Sequence, residues 1–288
     1  MKTAGLVFAF FCVCLGQLAA QVTMEITMDQ DQFLPGETLN AVVRITNLSG
    51  QTLNLGADED WLKFAVESHD GFIVLKTGEA PVAEKITLES AKAAIKRVNI
   101  APYFNLKKPG HYTLTATARI TDWNKQITSA PKEFDIINAA TLRDKEFGLP
   151  PPPGLSGRPP EVRKYTLLQA NYLQKLTLYF QLSDASGKVM KVYPLGPMLN
   201  ISQPDLQVDR LSNLHVLYQI GAHAACYTVF NPDGEITKRQ TYDFEARPRL
   251  RFDDEGNVVV SGATRRVKPD DLPPADLAAS QEKTSDPK

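Results

Sequence analysis

Two imidazoles and a thiol, His215, His223 and Cys226, fall within one short stretch of the chain. Together they could bind zinc or copper, or form a Cys–His nucleophile. Their spacing matches no compact metal signature, no fourth ligand is evident, and a lone cysteine in a strand is commonly a small buried hydrophobe. The reading is therefore no metal, no catalytic residue and no cofactor. A second group is cationic. Arg247, Arg249 and Arg251 share one face of a strand, and Arg265, Arg266 and Lys268 lie a strand later. Such a stripe could clamp phosphate or carboxylate groups on a polysaccharide or an envelope surface. The plainer account is a solvated face balanced by Asp253, Asp254 and Glu255.

Two further patterns invite chemistry and have structural explanations. The turns Asp29-Gln30-Asp31, Asp58-Glu59-Asp60 and Asp253-Asp254-Glu255-Gly256-Asn257 resemble fragments of calcium loops. None has the Asp-x-Asp-x-Asp order and distal Glu of an EF-hand, and Asp and Gly in hairpin turns need no metal. His111, Thr113, Thr115, Thr117, Arg119 and Thr121 form the outward face of a long strand. A flat threonine face can dock on polymers, but threonine is also a strand former whose hydroxyls pair across strands. No nucleophile elbow, His-Glu-x-x-His, P-loop or dinucleotide fingerprint occurs, and the chain has only four histidines. The expectation is a protein that is not an enzyme.

The elements that would position these residues begin after an export signal. Lys2 precedes an uncharged apolar run from Ala4 to Leu15, and Gln17-Leu18-Ala19-Ala20 suits cleavage before Gln21. Phe11 and Val13, ahead of Cys12 and Cys14, do not suit lipidation. Residues 1–20 thus read as a signal peptide, and the protein as periplasmic or extracellular. Cleavage would leave Cys226 as the last cysteine, with no intramolecular disulfide. The net charge is −1, which gives no reason to expect nucleic acid, and no later segment is apolar enough for a membrane span.

Residues 22–138 read as strand after strand. Leu39, Ala41, Val43 and Ile45 alternate with polar neighbours between the Pro35-Gly36-Glu37 and Asn47-Leu48-Ser49-Gly50 turns. Tyr112, Leu114, Ala116, Ala118 and Ile120 alternate again after Pro109-Gly110. About seven short strands at this spacing argue for an antiparallel sandwich. The Pro-Gly-Glu turn, the Asn-x-Ser-Gly turn and the late Pro-Gly-His-Tyr resemble bacterial Ig-like sandwiches, a layout shared by macroglobulin-type domains and the intracellular proteinase inhibitor family. The resemblance implies a fold, and it makes a secreted proteinase inhibitor an alternative function.

Residues 139–163, with prolines at 150–153, read as a semi-rigid linker holding two domains apart. Residues 164–266 hold a repeat: Pro204, Leu206, Asp209, Asn213 and Val216 recur 44 residues later as Pro248, Leu250, Asp253, Asn257 and Val260. Gly187, Val189 and Lys191 are echoed 47 residues on by Gly234, Ile236 and Lys238. This period suits a propeller-blade-like unit of four strands. One whole unit flanked by two partial ones predicts a closed β domain of two blade-like repeats, in a monomer. Residues 267–288 read as a disordered tail. The chain is thus all-β, and its expected role is exported binding or scaffolding at the bacterial envelope or exterior. The partner would be an envelope protein or polysaccharide; an envelope hydrolase with its site in the repeat domain is a further alternative.

Overall fold

The computed structural model describes residues 22–82, 84–149 and 160–273. The expected signal peptide, the four consecutive prolines and the chain beyond 273 lie outside the described residues. Those described form an all-β structure with two single-turn 3₁₀ segments. None of their helices is long and apolar enough to cross a membrane.

The N-terminal unit comprises β1 (Val22–Met28), β2 (Gln32–Phe33), β3 (Asn40–Asn47), β4 (Leu53–Leu55), β5 (Leu62–Ser68), β6 (Ile86–Leu88), β7 (Lys92–Asn99), β8 (Gly110–Ile120), β9 (Lys125–Thr128) and β10 (Lys132–Ile136). One sheet has the order β1-β3-β7; another runs β2-β10-β8-β5, with β9 also on β8, and β4 pairs β6. Pairing is antiparallel apart from the short parallel contact of β2 with β10. Strict alternation is what makes these strands two-faced. Ala41, Val43 and Ile45 of β3 are buried, as are Tyr112, Leu114, Ala116, Ala118 and Ile120 of β8, and both sets enter one core. Trp61 is buried there, and its indole N–H donates to the Val82 carbonyl at 2.7 Å, which satisfies the one polar atom the ring carries inward.

The remainder comprises β11 (Ala140–Leu149), β12 (Glu161–Tyr172), β13 (Lys175–Asp184), β14 (Val189–Pro197), β15 (Asp205–Val208), β16 (Leu214–Gly221), β17 (Ala224–Phe230), β18 (Ile236–Asp243), β19 (Arg249–Phe252), β20 (Val258–Ser261) and β21 (Thr264–Arg266). Strands β11 to β14 form one antiparallel sheet in chain order, and β15 to β18 followed by β21 form a second. Their inner faces share a core in which Phe180 stacks on Phe230 at 3.9 Å and Phe147 on Tyr165 at 4.0 Å. The β19–β20 hairpin is a third layer. Its Leu250 and Val258 cover Leu217, Tyr227 and Val229 on the outer face of the second sheet.

The 44-residue offset corresponds to two hairpins closed by one turn geometry. In both, the first Asp donates its N–H to the Asn carbonyl four residues on, at 3.0 Å for Asp209 and 2.9 Å for Asp253. In both, Asp Oδ1 accepts the Asn N–H, at 2.8 and 2.7 Å. The fourth position is left-handed, with Ser212 at φ 62° and Gly256 at φ 83°. Asp184–Lys188 and Asn231–Glu235 repeat the pattern, with Gly187 at φ 80° and Gly234 at φ 74°. The offsets of 44 and 47 therefore interleave, and the recurring element is a single hairpin with a side-chain-capped turn.

Four expectations need correction. The described parts of 139–163 are strand and not linker: β11 fills Ala140–Leu149 and β12 begins at Glu161, and the two pair from Ala140↔Gln169 to Leu149↔Glu161. Arg143, Asp144, Lys145 and Glu146 give β11 the charge of a spacer because it is an exposed edge strand, where charge blocks unwanted pairing. The two units are not held apart: Leu34 packs into an apolar cluster with β12, β13 and β14. The C-terminal part is not closed, since β19–β20 does not join β13–β14 but stacks outside the second sheet. Finally, the tail does not begin at 267. Arg239 and Leu272 exchange backbone hydrogen bonds of 2.8 and 2.9 Å, and Asp271 is buried.

Candidate functional site: the joint between the two units

His215, His223 and Cys226 are not brought together. Strand alternation sends His215 to the outer face of the second sheet and Cys226 to the inner core, and His223 is exposed at the β16–β17 turn. His215 is buried between Asp209, whose Oδ2 lies 3.1 Å from Nε2, and Tyr227, whose hydroxyl lies 2.6 Å from Nδ1. Burial holds its imidazole below the ordinary value of 6.5, and Asp209 only partly offsets that. Burial opposes ionisation of Asp209, but donors from Asn213, His215 and Leu211 outweigh it and hold the carboxyl below its ordinary 3.8. The consistent arrangement is a neutral imidazole donating from Nε2 to an ionised Asp209 and accepting the Tyr227 hydroxyl at Nδ1. This network ties β15–β16 to β17. Cys226 sits 3.7 Å from the Thr228 hydroxyl inside the core. Among the described residues, no group of three His, Cys, Asp or Glu could hold a metal ion.

The arginines also divide. Arg249 and Arg251 are exposed on β19, with Leu250 buried between them. Arg247 donates to the Gln203 carbonyl at 2.8 Å, Arg266 is paired with Asp243, and Arg265 meets buried Asp271 at 3.4 Å. Of the proposed stripe, Arg265 and Arg266 are thus ion-paired, while Arg247, Arg249, Arg251 and Lys268 have no carboxylate partner among the described residues. The acidic turns are held by cations and by backbone N–H groups. Arg97 contacts Asp29 at 2.6 Å, Lys132 contacts Asp31 at 2.6 Å, and Arg119 contacts Asp58 and Asp60 at 2.8 and 3.0 Å. On the threonine face, Thr117 and Thr128 hydroxyls pair at 3.1 Å, His69 meets Thr113, and His111 meets Asp135 at 2.6 Å.

The site that the structure does build lies at the joint. Leu34 is 1% exposed, enclosed by Leu168, Ala170, Tyr179 and Val192 with Ile137 and Val189 around them. Glu37 shapes the turn that presents it. Its Oε2 accepts the Leu34 N–H at 2.9 Å, its Oε1 accepts from Gln30 at 2.7 Å, and the Glu37 N–H closes on the Leu34 carbonyl at 3.1 Å. Glu37 is 4% exposed, and burial holds its carboxyl above the ordinary range. Gly36 is required twice over: its φ is +84°, and a Cβ there would lie 2.8 Å from Val189 Cγ1. A further contact runs from the Leu173 N–H to Gln32 Oε1 at 3.0 Å.

Two clefts flank this joint. One, of about 580 Å³, is polar, with the Lys164–Asp144 pair (2.7 Å), Thr166 and Gln181 on its walls. The other, of about 1020 Å³, is mainly apolar and is walled by both units: Leu39, Leu75, Phe104 and Leu106 from one, Val189 from the other. Lys107 and Lys188 line it, one from each unit, and neither makes an ion pair among the described residues.

The chain matches no protein-family model and no curated protein. Among solved structures it is similar to Spo0M, a sporulation control protein from Bacillus subtilis, at a TM-score of 0.32 and 8% identity. That match covers 57% of this chain and 80% of the other. A likeness at this level carries no argument about fold or function.

None of the cleft's residues was proposed as a site from the sequence. In the sequence, Pro35-Gly36-Glu37 carries only the chemistry of a turn. The available signal was Leu34, an apolar residue at a turn tip where a solvated turn would carry a polar one.

Proposed function

We propose that this is an exported, non-enzymatic binding or scaffolding protein of the bacterial envelope or exterior, acting as a monomer through the apolar cleft at its joint. In this reading the N-terminal unit is an Ig-like sandwich, and the C-terminal sheets derive from blade-like hairpin repeats. The supporting observation is a cleft of about 1020 Å³ whose walls come from both units and whose joint is set by the Leu34–Glu37 turn. Ligand sites are typically concave and mostly apolar, with a few polar groups, and they favour domain junctions. The test is a photo-crosslinking side chain at position 75, on the cleft wall, in protein exposed to envelope extract. A discrete adduct, absent when the crosslinker sits on the far face at Arg249, supports the reading. No adduct, or turnover of a hydrolase substrate panel, sinks it.

One observation favours the inhibitor alternative. Ile73 is 87% exposed on a segment whose far side is anchored, with the Leu75 carbonyl accepting from Asn105 and the Thr77 N–H donating to Tyr103, both at 2.9 Å. An exposed apolar side chain on a pinned loop is what a protease cleft would require. Incubation with a protease panel tests it: an Ile73→Asp variant would lose inhibition if the loop carries it.

A further inference from the structure

Resting on the cleft as the binding site, we propose that its ligand is a single-chain fatty acid, with the acyl chain along the apolar wall and the carboxylate at Lys107 and Lys188. Three features of the cleft select this chemistry. Its wall is mainly hydrocarbon, from Leu39, Phe104, Leu106 and Val189, together with Leu75, which is 62% exposed. An unbranched chain can cover such a surface without leaving any polar group unpaired. The volume of about 1020 Å³ stands at the top of the range of roughly 300–1,000 Å³ usual for small-molecule sites.

The sign of the free charge supplies the other end of the ligand. Glu37 also lines the cleft, without a cation partner among the described residues. Burial favours its neutral form, and both its oxygens are taken by neutral donors, the Leu34 N–H and the Gln30 amide, so it leaves a ligand no free acceptor. What remains is Lys107 and Lys188, without an ion-pair partner among the described residues. Two exposed ammonium groups on the lining of a mainly apolar cleft complement a carboxylate and disfavour an amine head of equal length. Because one lysine belongs to each unit, the head group would also bridge the joint. Binding should therefore stabilise the two units together rather than either alone.

Isothermal titration of residues 21–288 with fatty acids of increasing length, each below its micelle concentration, tests the proposal. Each added methylene should tighten binding by roughly fourfold until the trough is full. The Lys107→Glu, Lys188→Glu double variant should weaken carboxylate binding at least tenfold and leave the alcohol of equal length unchanged. Both lysines are exposed, so the variant should keep its fold, checked by an unaltered thermal midpoint. Leu75→Glu should weaken acid and alcohol alike. No saturable binding, affinity flat with chain length, or indifference to the lysine charges overturns the assignment. If fatty acids fail but the position-75 adduct persists with another molecule, the cleft stands and only the ligand is wrong. If Leu75→Glu changes nothing for any ligand, both fall.

Discussion

The hairpins around Asp209–Asn213 and Asp253–Asn257 share one turn and live in different surroundings. In each, the Asp caps the same backbone N–H groups and the Asn side chain reaches back to Asp Oδ2, at 2.9 and 3.2 Å. The first hairpin is built into a five-stranded sheet with a layer on either side, and its Asp takes a further bond from buried His215. The second is a two-stranded flap covered on one face only. Local sequence therefore fixes the turn, while the stack of layers decides how much each turn residue contributes to stability.

The largest difference should appear in the paired valines. Val216 is fully buried between the two large sheets, and Val260 is half-buried under the flap. Val216→Ala should cost about 2–3 kcal/mol, because the cavity it leaves is walled on all sides. Val260→Ala should cost under about 1 kcal/mol, since water can occupy the space removed. Equal shifts in urea midpoint would show that the flap is as tightly built as the sheet beneath it.

Next come the capping aspartates. Asp209→Ala removes acceptors from Leu211, Asn213 and His215 together and leaves the His215 Nε2–H buried without a partner. A loss of about 2–3 kcal/mol is expected. Asp253→Ala deletes the same turn bonds in solvent and should shift the midpoint much less. The hairpins would prove energetically equivalent if the two variants unfolded together.

The comparison also has a pH signature. The folded pKa of His215 is held below its unfolded value near 6.5, so below that value the unfolded state binds more protons. Its contribution to stability is complete above about pH 6.5 and is lost as pH falls through the lower folded value. His215→Phe should flatten the stability profile between pH 7 and 5, whereas Val259→Ala, at the equivalent place on β20, should leave it unchanged. A His215→Phe profile parallel to wild type would remove His215 from the account.

Alternation in β3 and β8, and the turns that bound them, was legible because a strand with one wet face writes its burial into every second residue. The 44-residue offset was legible for the same reason, since side-chain-capped turns need Asx and a left-handed residue at fixed places. The edge strand β11 was not, because charge suits both an edge and a spacer. Nor was the joint: Leu34, Tyr179 and Val192 converge from strands far apart in sequence. Sequence spacing near His215 and Cys226 suggested proximity, but the period of two in a strand places them on opposite faces.

The smallest effect concerns the left-handed position, where the four turns differ in one residue. Gly187, Gly234 and Gly256 occupy it without a Cβ, and Ser212 occupies it at φ 62°. A non-glycine residue there bears roughly 1–2 kcal/mol of strain. Glycine would relieve it, but it would lose about 0.5–1 kcal/mol through the greater freedom of the unfolded chain. Ser212 also donates to the Gly148 carbonyl at 3.4 Å, a long bond. The Tyr165 hydroxyl bond to the Ser212 carbonyl, at 2.8 Å, survives the substitution. Ser212→Gly should therefore stabilise by about 0.5 kcal/mol. The reverse change, Gly256→Ser, should destabilise by a similar amount, since a Cβ at 256 would lie 2.6 Å from Nη2 of the exposed Arg210 side chain, which can swing aside. If Ser212→Gly destabilises instead, the serine side chain holds β11 against this turn more firmly than its one long hydrogen bond implies.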